Sequence, residues 1–113
     1  MKNLLLALSC CALSCFASAA GRIDAGRALA EKYSCAACHG KDYASPVDPT
    51  YPVLAGQHQD YLEHALIAYK RGNGPYGRNN PIMNGQVQPL SEQDIKDLAA
   101  YLHSLPSRLV SRR

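Results

Sequence analysis

The run Cys35-Ala36-Ala37-Cys38-His39 constrains this chain more than any other feature of the sequence. A Cys-x-x-Cys-His motif is typical of a covalent attachment site for a c-type haem. Two thiolates about one helical turn apart can each add to one of the two haem vinyl groups, and the histidine that follows can be the proximal iron ligand. Three alternatives stay open at this point: a redox-active cysteine pair, half of a zinc site, or a chance occurrence.

The first twenty residues have the composition of a secretory leader. Lys2 supplies a positive start, residues 4–16 are almost entirely apolar, and residues 17–20 are small, as at a signal-peptide cleavage site. The apolar run is shorter than the roughly 20 residues that span a membrane, which makes a membrane anchor the weaker interpretation. We therefore predict a signal peptide over residues 1–20, cleaved after Ala19 or Ala20, and a periplasmic protein without stable membrane insertion.

The cysteines divide between this leader and the rest of the chain. Of the five, Cys10, Cys11 and Cys15 lie in the leader, so the mature protein keeps Cys35 and Cys38. Two cysteines this close together provide no long-range disulfide framework. Lipidation of Cys10 or Cys15 stays an alternative to simple cleavage, although the residues before them fit the lipoprotein pattern poorly.

Charge and size narrow the possible functions. The formal net charge is +3 for the whole chain and +2 without Lys2, and two ionised haem propionates would bring it close to zero. Neither nucleic-acid binding nor strong attraction to a membrane surface is therefore expected. We predict one domain over residues 21–106 and a basic tail over residues 107–113. A domain of this size would gain stability from a covalently held apolar cofactor at its centre.

Apolar periodicity and turn residues predict an all-α domain. Residues 24–33 are predicted as the first helix, with Asp24 as its N-cap. A second helix is expected over residues 59–71, and the last helix begins with a capping box at Ser91. Pro- and Gly-rich stretches, the longest over residues 72–89, are predicted as loops. Three to four short helices joined by long loops need something central to pack against.

Met83 is the best candidate for a second iron ligand. It is the single methionine after the leader and lies in the longest predicted loop, whereas a core methionine normally belongs to a helical or strand stripe. Methionine and histidine are the ordinary sixth ligands of an electron-transfer haem. His58 is the best alternative, and His64 and His103 are predicted to be solvated.

Residues 52–56 would complete the haem environment. A ligating histidine usually donates its second ring N–H to a carbonyl, and the restricted backbone of Pro52 makes its carbonyl a good candidate. Leu54 would cover a haem face. Without a haem, the same segment is only a turn.

Taken in order, these features resemble a class I cytochrome c. The shared elements are the Cys-x-x-Cys-His motif, the Pro-x-Leu-x-Gly segment of residues 52–56, Met83, and the Leu-x-x-Tyr of residues 98–101. The phrases YPVLAGQ, NPIM and LSEQDIKDLAAYL are most similar to one domain of the bacterial dihaem cytochromes of the c-four group, or to their small monohaem relatives. The resemblance covers nearly all of residues 24–105 and implies that Gly26 lies where the first and last helices cross.

The resemblance also implies a cofactor and its ligands. The expected fold is the all-α class I cytochrome c fold, packed around one haem c that is linked by thioethers to Cys35 and Cys38. His39 and Met83 would hold the iron, and the Pro52 carbonyl would accept the proximal histidine's N–H. A weaker implication is that Arg78 meets the haem propionates.

The predicted function is soluble periplasmic electron transfer, because a six-coordinate iron leaves no open position for a substrate. Partners would be redox proteins such as a terminal oxidase, a bc-type complex or a periplasmic dehydrogenase, and the chain would be a monomer or weak dimer. The dihaem relatives have a second haem motif that this sequence lacks, so a permanent haem subunit of a larger flavin- or sulfur-oxidising enzyme is an alternative. A thiol–disulfide oxidoreductase is a remote one, since no βαβ pattern surrounds the cysteines.

Overall fold

The computed structural model describes residues 20–108 as five helices joined by irregular segments, with no strand among them. The helices are α1 (Ile23–Lys32), α2 (Ala36–His39), α3 (Gln59–Arg71), α4 (Pro81–Val87) and α5 (Glu92–Ser104). None of the helices in this range is long and apolar enough to cross a membrane. The predicted leader and most of the predicted tail lie outside the described residues. The all-α class is confirmed, with more helical segments than the three to four expected.

Helix α1 begins differently from the prediction. It starts at Ile23, its N-cap residue is Arg22, and no side chain caps it, so the assignment of Asp24 as N-cap is wrong. A distant residue replaces the local cap: the backbone N–H of Arg22 donates to Oδ1 of Asp97 at 2.8 Å, and its Nη2 donates to Oδ2 at 3.1 Å. Tertiary contact with α5 therefore decides where this helix starts.

The crossing of α1 and α5 brings two helix backbones very close together. A Cβ added at Gly26 would lie 2.0 Å from the carbonyl oxygen of Asp97 and 2.7 Å from Cβ of Tyr101. Only glycine permits this approach, because every other residue would place a carbon inside the neighbouring helix. The expected position of Gly26 is confirmed.

Helix α5 supplies much of the core. Its side chains Ile95, Leu98 and Leu102 are at most 5% exposed, as expected from its apolar stripe. The capping box is present: the Asp94 N–H donates to the Ser91 hydroxyl at 3.0 Å, and the Ser91 N–H donates to the Asp94 carboxylate at 2.9 Å. Local sequence therefore predicted both the start of α5 and the face that it buries.

The longest predicted loop contains a helix, α4, so the prediction that Met83 lies in a loop is wrong. Pro81 occupies the first turn of α4, where a missing backbone N–H costs nothing. Asn80 is the N-cap, and its Oδ1 accepts the backbone N–H of Met83 at 3.0 Å. Glycine and proline, which predicted irregular structure, are here accommodated within a helix of seven residues.

Candidate haem-binding site

The Cys-x-x-Cys-His motif occupies a tight corner between α1 and α2. Ser34, with a φ of 52°, turns the chain out of α1, and the Cys35 N–H still donates to the Ala30 carbonyl at 3.1 Å. One turn of helix then carries both thiols and the imidazole, since the His39 N–H donates to the Cys35 carbonyl at 3.1 Å. No disulfide joins Cys35 to Cys38.

His39 is held with one ring nitrogen available. Its side chain is 6% exposed, and its Nδ1 lies 3.0 Å from the carbonyl oxygen of Pro52. A carbonyl only accepts hydrogen bonds, so Nδ1 carries the proton and Nε2 of the neutral ring keeps its lone pair for a metal. The expected hydrogen bond from His39 to the Pro52 carbonyl is therefore present, and it sets the tautomer needed for ligation.

The segment of residues 52–56 is tied to the core by backbone hydrogen bonds. The N–H groups of Leu54 and Ala55 both donate to the Tyr43 carbonyl at 2.9 Å, and the Gly56 N–H donates to the Leu102 carbonyl at 2.9 Å. Because these bonds hold its neighbours in place, the Pro52 carbonyl is a fixed partner for the imidazole.

Adjoining cavities lie beside the imidazole. Two of them share five lining residues: His39, Leu54, Leu66, Met83 and Leu102. Both cysteines line the first cavity, and a third cavity is again lined by His39 and Met83. His39 and Met83 are the two residues that line all three.

The residues around these cavities fit a c-type haem. The lining is mainly aliphatic, two thiols stand at one side, and an imidazole nitrogen and a thioether sulfur are the available iron donors. Burial raises the pKa of the Cys35 thiol, whereas redox-active cysteines have a lowered pKa. The partly buried Cys35 thiol is therefore not activated like a redox nucleophile.

Arg78 places a positive charge at the second cavity. Its guanidinium carbon lies 5.6 Å from the Tyr61 ring centroid and 5.5 Å from that of Tyr69, and its Nη2 donates to the Tyr61 hydroxyl at 3.3 Å. Sequence reasoning indicated this residue only weakly, because the two tyrosines belong to α3 while the arginine comes from the segment after it.

None of the other three histidines lines a cavity that His39 and Met83 share. His58 is exposed at the N-cap of α3, so the structure does not support it as the alternative ligand. His64 is exposed on α3, and His103 is exposed with its Nδ1 2.7 Å from the Gln57 carbonyl oxygen. Within residues 20–108 no three His, Cys, Asp or Glu side chains come together as a metal site, so the cysteine pair finds no second half of a zinc site there.

Sequence reasoning missed the side chains that hold α4. Asn84 donates to the carbonyls of Tyr69 and Arg78 at 2.6 and 2.9 Å. The signal that could have located α4 is the Asn80-Pro81 pair, which combines a preferred N-cap with a preferred first helical residue. No local signal indicates the distant carbonyls that Asn84 reaches.

A sequence profile of the cytochrome c family matches residues 23–106. The chain belongs to the cytochrome c family. It is similar to cytochrome c4 of Stutzerimonas stutzeri, with 40% identity over 109 residues that cover 92% of this chain and 49% of that protein. It is also similar to cytochrome c-554(548) of Halomonas halodenitrificans, with 44% identity over 71 residues that cover 63% of this chain and 83% of that protein.

A solved structure shares the fold. The crystal structure of reduced recombinant cytochrome c4 from Pseudomonas stutzeri matches with a TM-score of 0.66 and 39% identity, over 77% of this chain and 47% of that one. The chain spans about half the length of the cytochrome c4 relatives it matches. As a member of the cytochrome c family, it carries a covalently bound c-type haem, and the class I fold is confirmed.

Proposed function

We propose that this cytochrome c is a periplasmic electron carrier in which His39 and Met83 would hold the iron of one haem. The observation that carries the proposal is that these two side chains line the same three cavities, one offering Nε2 and the other a thioether. The haem supplies a one-electron Fe(III)/Fe(II) couple. The protein residues attach this group, orient it and shield it from water.

Attachment and orientation fall to residues on the α1–α2 side. Cys35 and Cys38 would hold the haem through thioether links, because both thiols border the first cavity. Pro52 fixes the imidazole of His39 through the 3.0 Å hydrogen bond, and Leu54, which lines both larger cavities, would exclude water from a haem face. Low solvent access and a methionine ligand both favour a raised reduction potential.

Arg78 would neutralise a propionate. It is the one side chain with a permanent positive charge among those lining the second cavity, and its stacking on Tyr61 and Tyr69 restricts its position. An arginine fork matches a carboxylate through paired hydrogen bonds.

Two protein ligands leave no iron position for a substrate, so the chain acts as a carrier and not as an enzyme. Electron exchange would use the edge near Ile82, which is 55% exposed and also lines the first and third cavities. An apolar contact of this kind suits small, transient interfaces with redox proteins. The proposed partner classes are a terminal oxidase, a bc-type complex or a periplasmic dehydrogenase.

Export rests on residues 1–20. Within the described residues, contacts with the folded domain begin close to the proposed cleavage site. The Gln93 side chain donates to the Ala20 carbonyl at 3.3 Å, and Asp97 binds Arg22. Edman sequencing of protein from a periplasmic fraction should therefore begin at Ala20 or Gly21. An acylated amino terminus at Cys10 or Cys15 would contradict cleavage at this position.

The ligand assignment is tested by Met83→Ala, with His58→Ala as the matched control. Met83→Ala should abolish the long-wavelength charge-transfer band of a thioether-ligated ferric haem, lower the reduction potential and allow imidazole to bind the iron. His58→Ala should leave all three unchanged. If His58→Ala shows these changes and Met83→Ala does not, or if neither variant changes the spectrum, Met83 is not the ligand.

The native molecular mass distinguishes an independent carrier from a permanent subunit of a larger enzyme. Gel filtration of unfractionated periplasm, followed by haem staining, should find the native protein at a monomer or dimer mass. Elution entirely within a larger oxidoreductase would favour the alternative of a permanent haem subunit.

A further inference from the structure

The side chain of Asn84 joins three separate backbone positions. Its Nδ2 donates to the carbonyls of Tyr69, near the end of α3, and Arg78, in the segment that follows, at 2.6 and 2.9 Å. Its Oδ1 accepts the backbone N–H of Asn80 at 3.1 Å. We call these three hydrogen bonds the Asn84 clamp. The clamp uses both amide hydrogens, so no other side chain of similar size could reproduce it.

Apart from the clamp, few buried side chains hold helix α4 in place. Helix α4 has seven residues, and Val87 alone is buried among them. A helix this short is marginal without tertiary support, and Gly85 lowers its intrinsic stability further. The position of α4 therefore depends on polar contacts more than on packing.

We propose that Asn84 is a positioning residue that keeps Met83 directed at the haem iron. The inference rests on the proposed function, in which Met83 would be an iron ligand. Asn84 follows Met83 directly in the chain, and it binds both the end of α3 and the residues leading into α4. Helix α4 cannot move away from α3 without breaking the clamp, so the clamp restrains the methionine through the backbone.

The restraint has a measurable consequence for foreign ligands. Imidazole can bind ferric iron only in molecules whose methionine has left it, so its apparent affinity is proportional to the fraction of open molecules. Loss of the clamp removes its three hydrogen bonds from the closed state. We expect the open fraction, and with it the apparent imidazole affinity, to rise about tenfold.

The test is imidazole titration of the ferric holoprotein in Asn84→Ala and in the nearly isosteric Asn84→Leu. Both should bind imidazole about tenfold more tightly than the unaltered protein. The matched control is Gln88→Ala, because Gln88 donates a similar amide bond, at 3.4 Å, to the neighbouring carbonyl of Lys70. That variant should stay within about twofold of the unaltered protein.

Each outcome decides between a positioning role and a purely structural one. If the Asn84 variants unfold at lower temperature but bind imidazole like the Gln88→Ala control, the inference is wrong. If one Asn84 variant fails to mature with haem, the titration of the other still decides, and if both fail, the clamp supports the whole fold and the inference is likewise wrong.

Met83→Ala separates this inference from the proposed function. If imidazole affinity and the charge-transfer band are unchanged in Met83→Ala, the ligand assignment itself fails. If Met83→Ala binds imidazole strongly while both Asn84 variants behave like the unaltered protein, the assignment stands and only the role of Asn84 is refuted.

Discussion

Two glycines show how differently the two sides of the haem site are built. At Gly26, where α1 crosses α5, an added Cβ would meet the Asp97 carbonyl oxygen at 2.0 Å, whereas at Gly85 in α4 it would meet nothing within 4 Å. Close backbone packing holds α1 against α5, whereas α4 has open space beside Gly85. Shape therefore determines how α1 and α5 fit together, while a few polar bonds determine where α4 lies.

The two proposed iron ligands lie on these two differently stabilised parts of the molecule. His39 is 6% exposed, and its partner Pro52 belongs to a segment bonded to the core at Tyr43 and Leu102. Met83 lies on α4, which Asn80 caps and Asn84 attaches to the end of α3. We therefore expect the haem site to open on the methionine side, while the histidine side stays closed until the protein unfolds.

The strongest test of the α1–α5 packing is Gly26→Ala. A methyl group cannot be accommodated against the backbone of α5, so we expect a loss of about 3 kcal/mol or more in the free energy of unfolding. Guanidinium unfolding of the holoprotein measures it. A loss below about 1 kcal/mol would show that α1 and α5 can separate easily, which would remove the contrast between the two sides.

A smaller loss is expected from Asp97→Ala. The carboxylate is 1% exposed and accepts bonds from the Arg22 backbone, the Arg22 guanidinium and, at 2.9 Å, the Gln93 side chain. Removing it should cost about 2 kcal/mol, because these donors lose a charged acceptor and the start of α1 loses its support. Thermal unfolding at neutral pH measures this cost, with Asp94→Asn in the capping box as a surface comparison.

The same carboxylate makes the α1–α5 packing sensitive to acid. Burial opposes ionisation of Asp97, but the hydrogen bonds from Arg22 and Gln93 outweigh it and hold its pKa below the usual value. A lowered folded-state pKa means that the stabilisation is complete above the unfolded value of about 3.9 and is lost as pH falls through the folded value. The stability difference between the unaltered protein and Asp97→Ala should therefore shrink below about pH 4. A difference that is constant from neutral to strongly acidic pH would contradict this assignment.

Removing the N-cap of α5 or of α4 should have an effect of intermediate size, and the two variants form a matched pair. Ser91→Ala removes the cap of α5 and should lower the global free energy of unfolding by about 1 kcal/mol. Asn80→Ala removes the equivalent cap of α4, whose Oδ1 accepts the Met83 N–H. It should change global stability less and imidazole affinity more, because α4 can open locally. Equal effects of both variants on both measurements would mean that α4 opens only with the whole domain.

The smallest expected effect is an increase in the stability of α4. Gly85→Ala adds a methyl group in open space on a helix, which should stabilise α4 by about 0.5–1 kcal/mol. Imidazole should then bind a few-fold more weakly, the opposite of the Asn84 variants. An unchanged affinity would indicate that the helix propensity of α4 does not limit opening.

The parts of this molecule that the sequence predicted well are those governed by neighbouring residues. Helix α3 spans the predicted residues, Gly72 ends it with a φ of 61°, and the Ser91 capping box is formed as expected. The Cys-x-x-Cys-His motif predicted the cofactor, because the attachment chemistry requires those residue types at that spacing. In each case the signal lies within a few positions of the feature.

The parts that the sequence did not predict depend on distant partners. Asp24 looked like a cap, but Arg22 is bound instead by Asp97, 75 residues away. Helix α4 was hidden by its Gly and Pro content, and its clamp reaches carbonyls that carry no side-chain signal. The hydrogen bond from His39 to Pro52 was expected because the resemblance to a known family supplied the distant partner.

Whether His39 and Met83 together hold the iron can be read from the iron K-edge X-ray absorption spectrum of the holoprotein. The extended fine structure should contain one sulfur scatterer in the unaltered protein and none in Met83→Ala, while His58→Ala keeps it. A coordination shell of nitrogen atoms alone in the unaltered protein would contradict the assignment of Met83 and with it the proposed role of α4.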